Sequence, residues 1–172
     1  SRIDIAKKVG VYRSTISNII NAMIHNGVVL ESKEQGNSSS GGRKPLHLAL
    51  NPDFGCVIGL ELQPSGYSAV VVDFTGCIRK RQTGPLPEGS FADFPEKIME
   101  NLEEAVRSTG LSPLAVCIGM PGIIDSSSGT ILRSDIFNVQ NTSFPKTVGE
   151  RFAAPVFIEN EANCLAWHEL FT

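Results

Sequence analysis

Arg13, Ser14, Thr15, Ser17, Asn18 and Asn21 gather a guanidinium, hydroxyls and amides in one short stretch of chain. Groups of this kind read base edges: arginine pairs bidentately with guanine, asparagine with adenine, and hydroxyls serve a base or a phosphate. A second set is the pair of cations in Gly41-Gly42-Arg43-Lys44-Pro45. Pro45 holds that backbone extended, which suits an arginine entering a narrow minor groove, where the potential is most negative. A third set follows the apolar run Val156-Phe157-Ile158: Glu159, Asn160, Glu161 and Asn163 offer carboxylates and amides at the end of a strand. Gly119-Met120-Pro121-Gly122 is a loop of restricted shape that could line a cleft, or simply end a strand.

These residues need elements to hold them. Ser1 and Asp4 have the spacing of a capping box for a short helix that stops at Gly10. From Arg13, Ile16, Ile19, Ile20, Met23 and Ile24 recur at the spacing of one helical face, and Asn26-Gly27 ends the run with residues that tolerate a left-handed backbone. Val28–Leu30 and Leu46–Leu50 read as strands separated by a polar Ser/Gly stretch, 32–42. Helix, turn, helix and hairpin is the winged helix-turn-helix pattern, in which the start of the second helix meets base edges. The competing reading of the same polar residues is a solvated helix face. Two helices cover only half of the isoleucine stripe, so a further helix is expected before the first.

Asn51-Pro52-Asp53 marks a boundary. Beyond it, Gly55–Leu62, Gly66–Asp73 and Ile78–Thr83 read as strands, and Phe91–Ser108 as an amphipathic helix. Leu114–Gly119 is a continuous apolar run, expected to be a strand buried on both faces. Asp135–Thr142 is expected to be a polar loop, Ser143–Phe152 a helix, Val156–Glu159 a strand and Glu161–Phe171 a last helix. The order suggests an α/β lobe of the ribonuclease-H/actin type.

The net charge of −3 hides an asymmetry. Residues 1–50 carry seven basic and three acidic side chains, leaving 8 basic and 15 acidic in 51–172: +4 against −7. Only the head is therefore suited to a polyanion, because phosphate neutralisation dominates nucleic-acid affinity. Cys56, Cys77, Cys117 and Cys164 stand singly, so no zinc site or disulfide framework is indicated, and buried thiols in a reducing cytoplasm are expected. His25, His47 and His168 are not spaced as a metal site. No run approaches the ~18 apolar residues of a membrane span, so no membrane partner is expected.

Ser14-Thr15-Ile16-Ser17, Gly41–Pro45 with Leu48 and Asn51-Pro52, Gly119-Met120-Pro121-Gly122 with Asp125, and Pro155–Asn163 together make the chain resemble a ROK-family transcriptional repressor of the xylose-repressor type. The resemblance covers essentially the whole chain. It implies a winged helix-turn-helix over 1–50 and an incomplete actin-like sugar-sensing lobe over 53–172. It also implies a duplex DNA operator, a monosaccharide effector and a homodimer or higher homo-oligomer. Gly119, Pro121, Gly122, Asn138, Asn160 and Glu161 would line the sugar cleft, with Glu161 where kinases of the family carry a catalytic aspartate. Glu161 could equally serve as a helix-capping acid, and Glu159 and Asn163 are expected to orient the turn.

The same resemblance implies a zinc-binding His/Cys cluster and further sugar ligands beyond Thr172, and no metal or cofactor within these residues. One departure bears on activity. Family kinases place an Asp-x-Gly-Gly-Thr turn after the first strand, where backbone N–H groups cradle ATP phosphates. Here that segment is Glu61-Leu62-Gln63-Pro64-Ser65, and Pro64 has no N–H to offer. The expectation is a regulator that transfers no phosphate. A sugar kinase with an accessory DNA-binding domain, or a repressor answering to a protein, are the competing readings.

Overall fold

The computed structural model describes residues 1–33, 46–86, 91, 96–143 and 145–171. Arg43 and Lys44 lie outside the described residues. The chain divides into two compact units, Ser1–Phe54 and Gly55–Thr172.

In the first unit, α1 (Arg2–Val9) and α2 (Arg13–His25) precede two antiparallel strands, β1 (Val29–Lys33) and β2 (Leu46–Leu50). The capping box forms: the Ser1 hydroxyl and backbone nitrogen reach Asp4 Oδ2 at 2.8 and 3.0 Å. Ala6, Ile16 and Ile20 are buried together, with Ile5, Val11, Ile24 and Leu48 packed around them. Ile19 and Met23 of the same stripe remain 45% and 39% exposed. Arg2 crosses from α1 to donate to Asn21 Oδ1 at 2.9 Å and to Glu31 Oε1 at 3.0 and 3.2 Å. Asn51 closes the unit: its side chain donates to the Gly27 carbonyl at 2.8 Å and its backbone N–H to that of Val28 at 2.9 Å.

The second unit is built on β3 (Cys56–Gln63), β4 (Gly66–Asp73) and β5 (Ile78–Gly84), an antiparallel meander. After α3 (Glu96–Thr109), β6 (Pro113–Met120) pairs parallel with β3. Then come β7 (Ile123–Asp125), β8 (Thr130–Ser134) and β9 (Val139–Thr142), which form a small antiparallel sheet of their own. Next are α4 (Pro145–Phe152), β10 (Val156–Asn160), parallel to β6, and α5 (Glu161–Phe171). The large sheet runs β10-β6-β3-β4-β5. Ile58, Leu60, Val71, Val116, Ile118 and Ile158 project from one face into a core with Ile98, Met99 and Leu102 of α3 and Val148 and Phe152 of α4.

Several expectations are corrected here. β6 is not buried on both faces: Val116, Ile118 and Met120 are buried while Cys117 between them is exposed. Alternation along a strand sends Cys117 to the face that α3 and α4 do not cover. Only Cys56 is a buried thiol; Cys77 and Cys164 are exposed as well. Phe91 is buried against Phe137, ring centroids 4.6 Å apart, and the helix is described from Glu96. The expected loop 135–142 ends in a strand, Val139–Thr142, because buried Val139 pairs with Ser134 of β8.

Candidate functional site

Two sets of candidate side chains stand out, one in each unit. On α2, the buried Ile16 and Ile20 define the inner face. At about 100° per residue, Ser14, Thr15, Asn18 and Asn21 fall on the opposite side, and all four are exposed, as is Arg13. Ser17 lies nearer the inner face and is half-buried. Arg2 occupies one lone pair of the Asn21 carbonyl oxygen, and the amide N–H groups take no part in that bond.

The start of α2 is electrostatically open. Its N-cap residue is Tyr12, whose side chain makes no capping bond, and its first turn holds no acid. The first N–H groups of a helix have no partner inside it, and the helix dipole adds positive potential there. Arg13 and Ser14 line an open cleft in front of that turn with Lys7 and Tyr12. Nothing in this arrangement repels an anion, and several groups could hold one.

The second set is built where three connections meet. The Ser134 hydroxyl, buried, donates to the Pro121 carbonyl at 2.6 Å. Asn160 Nδ2 donates to the next carbonyl, Gly122, at 2.8 Å, while Asn160 Oδ1 accepts the Ala162 N–H at 2.8 Å and caps α5. The Gly-Met-Pro-Gly loop is thus pinned from β8 and from the β10–α5 turn. With both ends engaged, the Asn160 amide retains one N–H and one lone pair. Glu161 opens α5 exposed, and no hydrogen bond to it is found among the described residues.

Glu159 is more engaged than either. Its carboxylate accepts Ser126 Oγ at 2.6 Å, the Asn160 backbone N–H at 2.7 Å and Asn163 Nδ2 at 2.9 Å. The Ser126 hydroxyl first, then Asn163 and the Asn160 amide, hold this carboxyl below the usual glutamate range. Asp125 is likewise held low, by the hydroxyls of Ser127 and Ser128 at 2.6 and 2.7 Å. Gly119 pairs in register with Glu61 on one side and Glu159 on the other, and Cys164 Sγ lies 3.4 Å from where a Gly119 side chain would begin.

The structure therefore ties Asn160 to the Gly122 carbonyl and Ser134 to the Pro121 carbonyl, with Glu161 following Asn160 in the chain. Asn138 lies in the β8–β9 turn, exposed, with a φ of +50°. Sequence reasoning missed Ser126, Ser134 and Arg2. Ser126 reads only as a turn residue, Ser134 as one polar residue of many, and Arg2 as part of the basic balance. At the β3–β4 corner, Gln63 pairs with Gly66 across Pro64-Ser65 and donates its side chain to Glu61 at 2.7 Å. Among the described residues no group of His, Cys, Asp or Glu could hold a metal ion, and no helix is long and apolar enough to cross a membrane.

Residues 57–172, covering the mixed sheet except for Cys56 and including the Asn160–Glu161 turn, match the model of the ROK family, and the chain belongs to that family. Among its relatives, the xylose repressor of Caldicellulosiruptor bescii is 33% identical over 173 residues, covering 98% of this chain and 43% of that protein. The fold matches the crystal structure of a ROK family transcriptional regulator, homologue of the E. coli MLC protein, with a TM-score of 0.77 and 20% identity over 99% of this chain and 44% of that one. A ROK family glucokinase from Streptomyces griseus, solved with glucose and AMPPNP, aligns with a TM-score of 0.55 and 30% identity over 67% of this chain and 36% of the kinase. The chain thus spans less than half the length of the curated relatives it matches.

Proposed function

We propose that this chain is a transcriptional repressor of sugar-utilisation genes, reading duplex DNA with its first unit and a monosaccharide with its second. The observation that carries the reading is the outer face of α2. Ser14, Thr15, Asn18 and Asn21 stand exposed there, Arg13 is exposed at the helix start, and Ile16 and Ile20 anchor the helix, whose uncapped N-terminus lies beside Lys7. In this reading α2 is the recognition helix of a winged helix-turn-helix, β1 and β2 are the base of the wing, and Arg43 and Lys44, between them in sequence, contact DNA as well. The similarity to a protein named xylose repressor supports a pentose effector in particular.

The second unit acts as an actin-like sugar-sensing lobe without kinase activity. Asn160 and Glu161, with the Gly119–Gly122 backbone, bind hydroxyls; the Gln63-Pro64 corner supplies no phosphate cradle. A sugar that binds one conformational state better than the other shifts DNA affinity by the same coupling energy that DNA exerts on it. Two such heads in a homodimer read a pseudo-palindrome whose half-sites lie about one or two helical turns apart. Such a regulator works in the cytoplasm, on the chromosome.

The test uses the full natural gene product and an operator selected from random duplexes. Arg13→Ala is expected to cost ~1–3 kcal/mol on that operator and to relax preference at one base pair. A uniform loss across all sequences would instead make Arg13 a phosphate anchor. Calorimetry with D-xylose and D-glucose, beside an ATP-turnover assay, addresses the second unit. ATP-dependent phosphorylation would establish the kinase reading that the glucokinase similarity favours, and silence towards sugars would point to a protein effector.

A further inference from the structure

We infer that Glu159 is the positioning residue of the sugar site, acting through Asn160 and Glu161 by clamping their turn to the β7–β8 hairpin at Ser126. This rests on the sugar reading above. Three donors from three places converge on one half-buried carboxylate: the Ser126 hydroxyl, the Asn160 backbone N–H and the Asn163 amide. A carboxylate has about four acceptor positions, so Glu159 has little left for a ligand. Its effect is on its neighbours.

Two of the contacts bind the β10–α5 turn to itself. Oε1 accepts the N–H of the very peptide that leads into Asn160, and also Asn163, one turn into α5. That fixes the direction in which α5 starts and hence where Glu161, its first residue, projects. The third contact, Oε2 to Ser126, reaches across 33 residues of sequence to the turn between β7 and β8. Asn160 makes the parallel link, to Gly122 at the start of the same hairpin. Hairpin and turn are thus held at two points, one by Asn160 and one by Glu159. Removing the second loosens the Ser126 end of the hairpin, while buried Ile131 still anchors β8 in the core, and the hydroxyl-binding groups lose their mutual spacing. Misplacement of about an ångström is enough to lose a binding geometry.

Glutamine is the informative replacement. In Glu159→Gln, Oε1 keeps both N–H donors, and the Ser126 hydroxyl can turn to accept from the new amide. Glu159→Leu removes every acceptor at similar volume. With the full gene product and D-xylose and D-glucose as probes, calorimetry of Glu159→Leu should show affinity at least about tenfold weaker, since a charged hydrogen-bond hub is removed. Glu159→Gln should stay within about threefold of wild type, and Ser126→Ala should fall between, as only the hairpin link goes. Amide hydrogen exchange adds a ligand-free readout: the Asn160 N–H should exchange faster in Glu159→Leu and at the wild-type rate in Glu159→Gln.

A purely structural role would lower the thermal midpoint of Glu159→Leu while the folded protein bound sugar as wild type does. That result, or unchanged exchange at Asn160, would overturn the inference. Sugar binding by wild type and Glu159→Leu alike would overturn the positioning role alone. No sugar binding by wild type would overturn the site itself, and the positioning role with it.

Discussion

Gly122→Ala is a sharp probe of the loop that the second site depends on. A Cβ at this position would lie 2.8 Å from the Arg133 carbonyl oxygen and 3.1 Å from Ser134 Cβ, and the φ of +152° is one that L side chains rarely adopt. The backbone conformation alone costs ~1–3 kcal/mol. Pressing a methyl group into β8 adds ~1–3 kcal/mol, because the obstacle is backbone rather than the end of a flexible side chain. Unfolding entropy of about 2.1 cal/mol/K per residue, summed over Gly55–Thr172, gives ~0.25 kcal/mol/K, or ~4 °C for each kcal/mol. The two costs together are ~2–6 kcal/mol, and the expected drop in Tm is therefore ~8–24 °C. Gly110→Ala is the control: φ is +70° but nothing lies within 4 Å of the added carbon. Only the left-handed backbone is charged there, ~1–2 kcal/mol and ~4–8 °C. Both variants can be melted by scanning calorimetry beside wild type. If Gly122→Ala melts no lower than Gly110→Ala, β8 yields to the methyl group and this loop is not closely packed against it.

Replacing Arg43 and Lys44 by Ala should weaken operator binding and flatten its salt dependence, by about 0.9 in the log–log slope for each phosphate no longer neutralised. An unchanged slope would show that the segment does not touch DNA. Asp73, buried at the end of β4, accepts the Thr75 hydroxyl at 2.7 Å and the Thr75 and Cys77 N–H groups at 2.9 and 3.1 Å, and pairs with Arg79 at 3.2 Å. The Thr75 hydroxyl is the largest cause of its lowered pKa. A depressed folded-state value means stabilisation that is complete above the ordinary aspartate range near ~3.9 and is lost as pH falls through the lowered value. Urea midpoints measured from about pH 6 down to about pH 2.5 should fall more steeply for wild type than for Asp73→Asn, and parallel curves would remove Asp73 from the acid response.

What can be read from the chain, and what cannot, divides along the range of the interactions. The helices of the first unit are local objects. Ser1 and Asp4 form their cap three residues apart, and Ile16 and Ile20 share a helical face whatever lies around them. The meander β3-β4-β5 follows from apolar runs broken by Pro64-Ser65 and Thr75-Gly76. Burial of a strand face, by contrast, depends on what covers it. Cys117 sits between Val116 and Ile118 in an unbroken apolar run, yet it is exposed, because α3 and α4 lie on the other side of the sheet. The β7–β8–β9 sheet is hidden for a similar reason: its strands are three to five residues long, and their pairing is with one another.

The second site lies at the far end of that range. Asn160 and Glu161 stand out by residue type, but their difference in role does not. Asn160 is tied to Gly122 across 38 residues and to Ala162 two residues on, whereas Glu161 is exposed with its acceptors open. An amide suits the first position because it must donate to a carbonyl and accept from a helix N–H at once, which a carboxylate cannot do. A carboxylate suits Glu159, where three donors converge, and Glu161, where hydroxyl donors would arrive. Glu-Asn-Glu is therefore three different solutions in three consecutive residues: one acid turned inward as a hub, one amide as a strut, and one acid turned outward. The Gln63-Pro64 corner, which in the proposed reading supplies no phosphate cradle, makes none of these contacts. In the proposed reading, that independence is how a lobe related to sugar kinases can give up phosphoryl transfer and still bind the sugar.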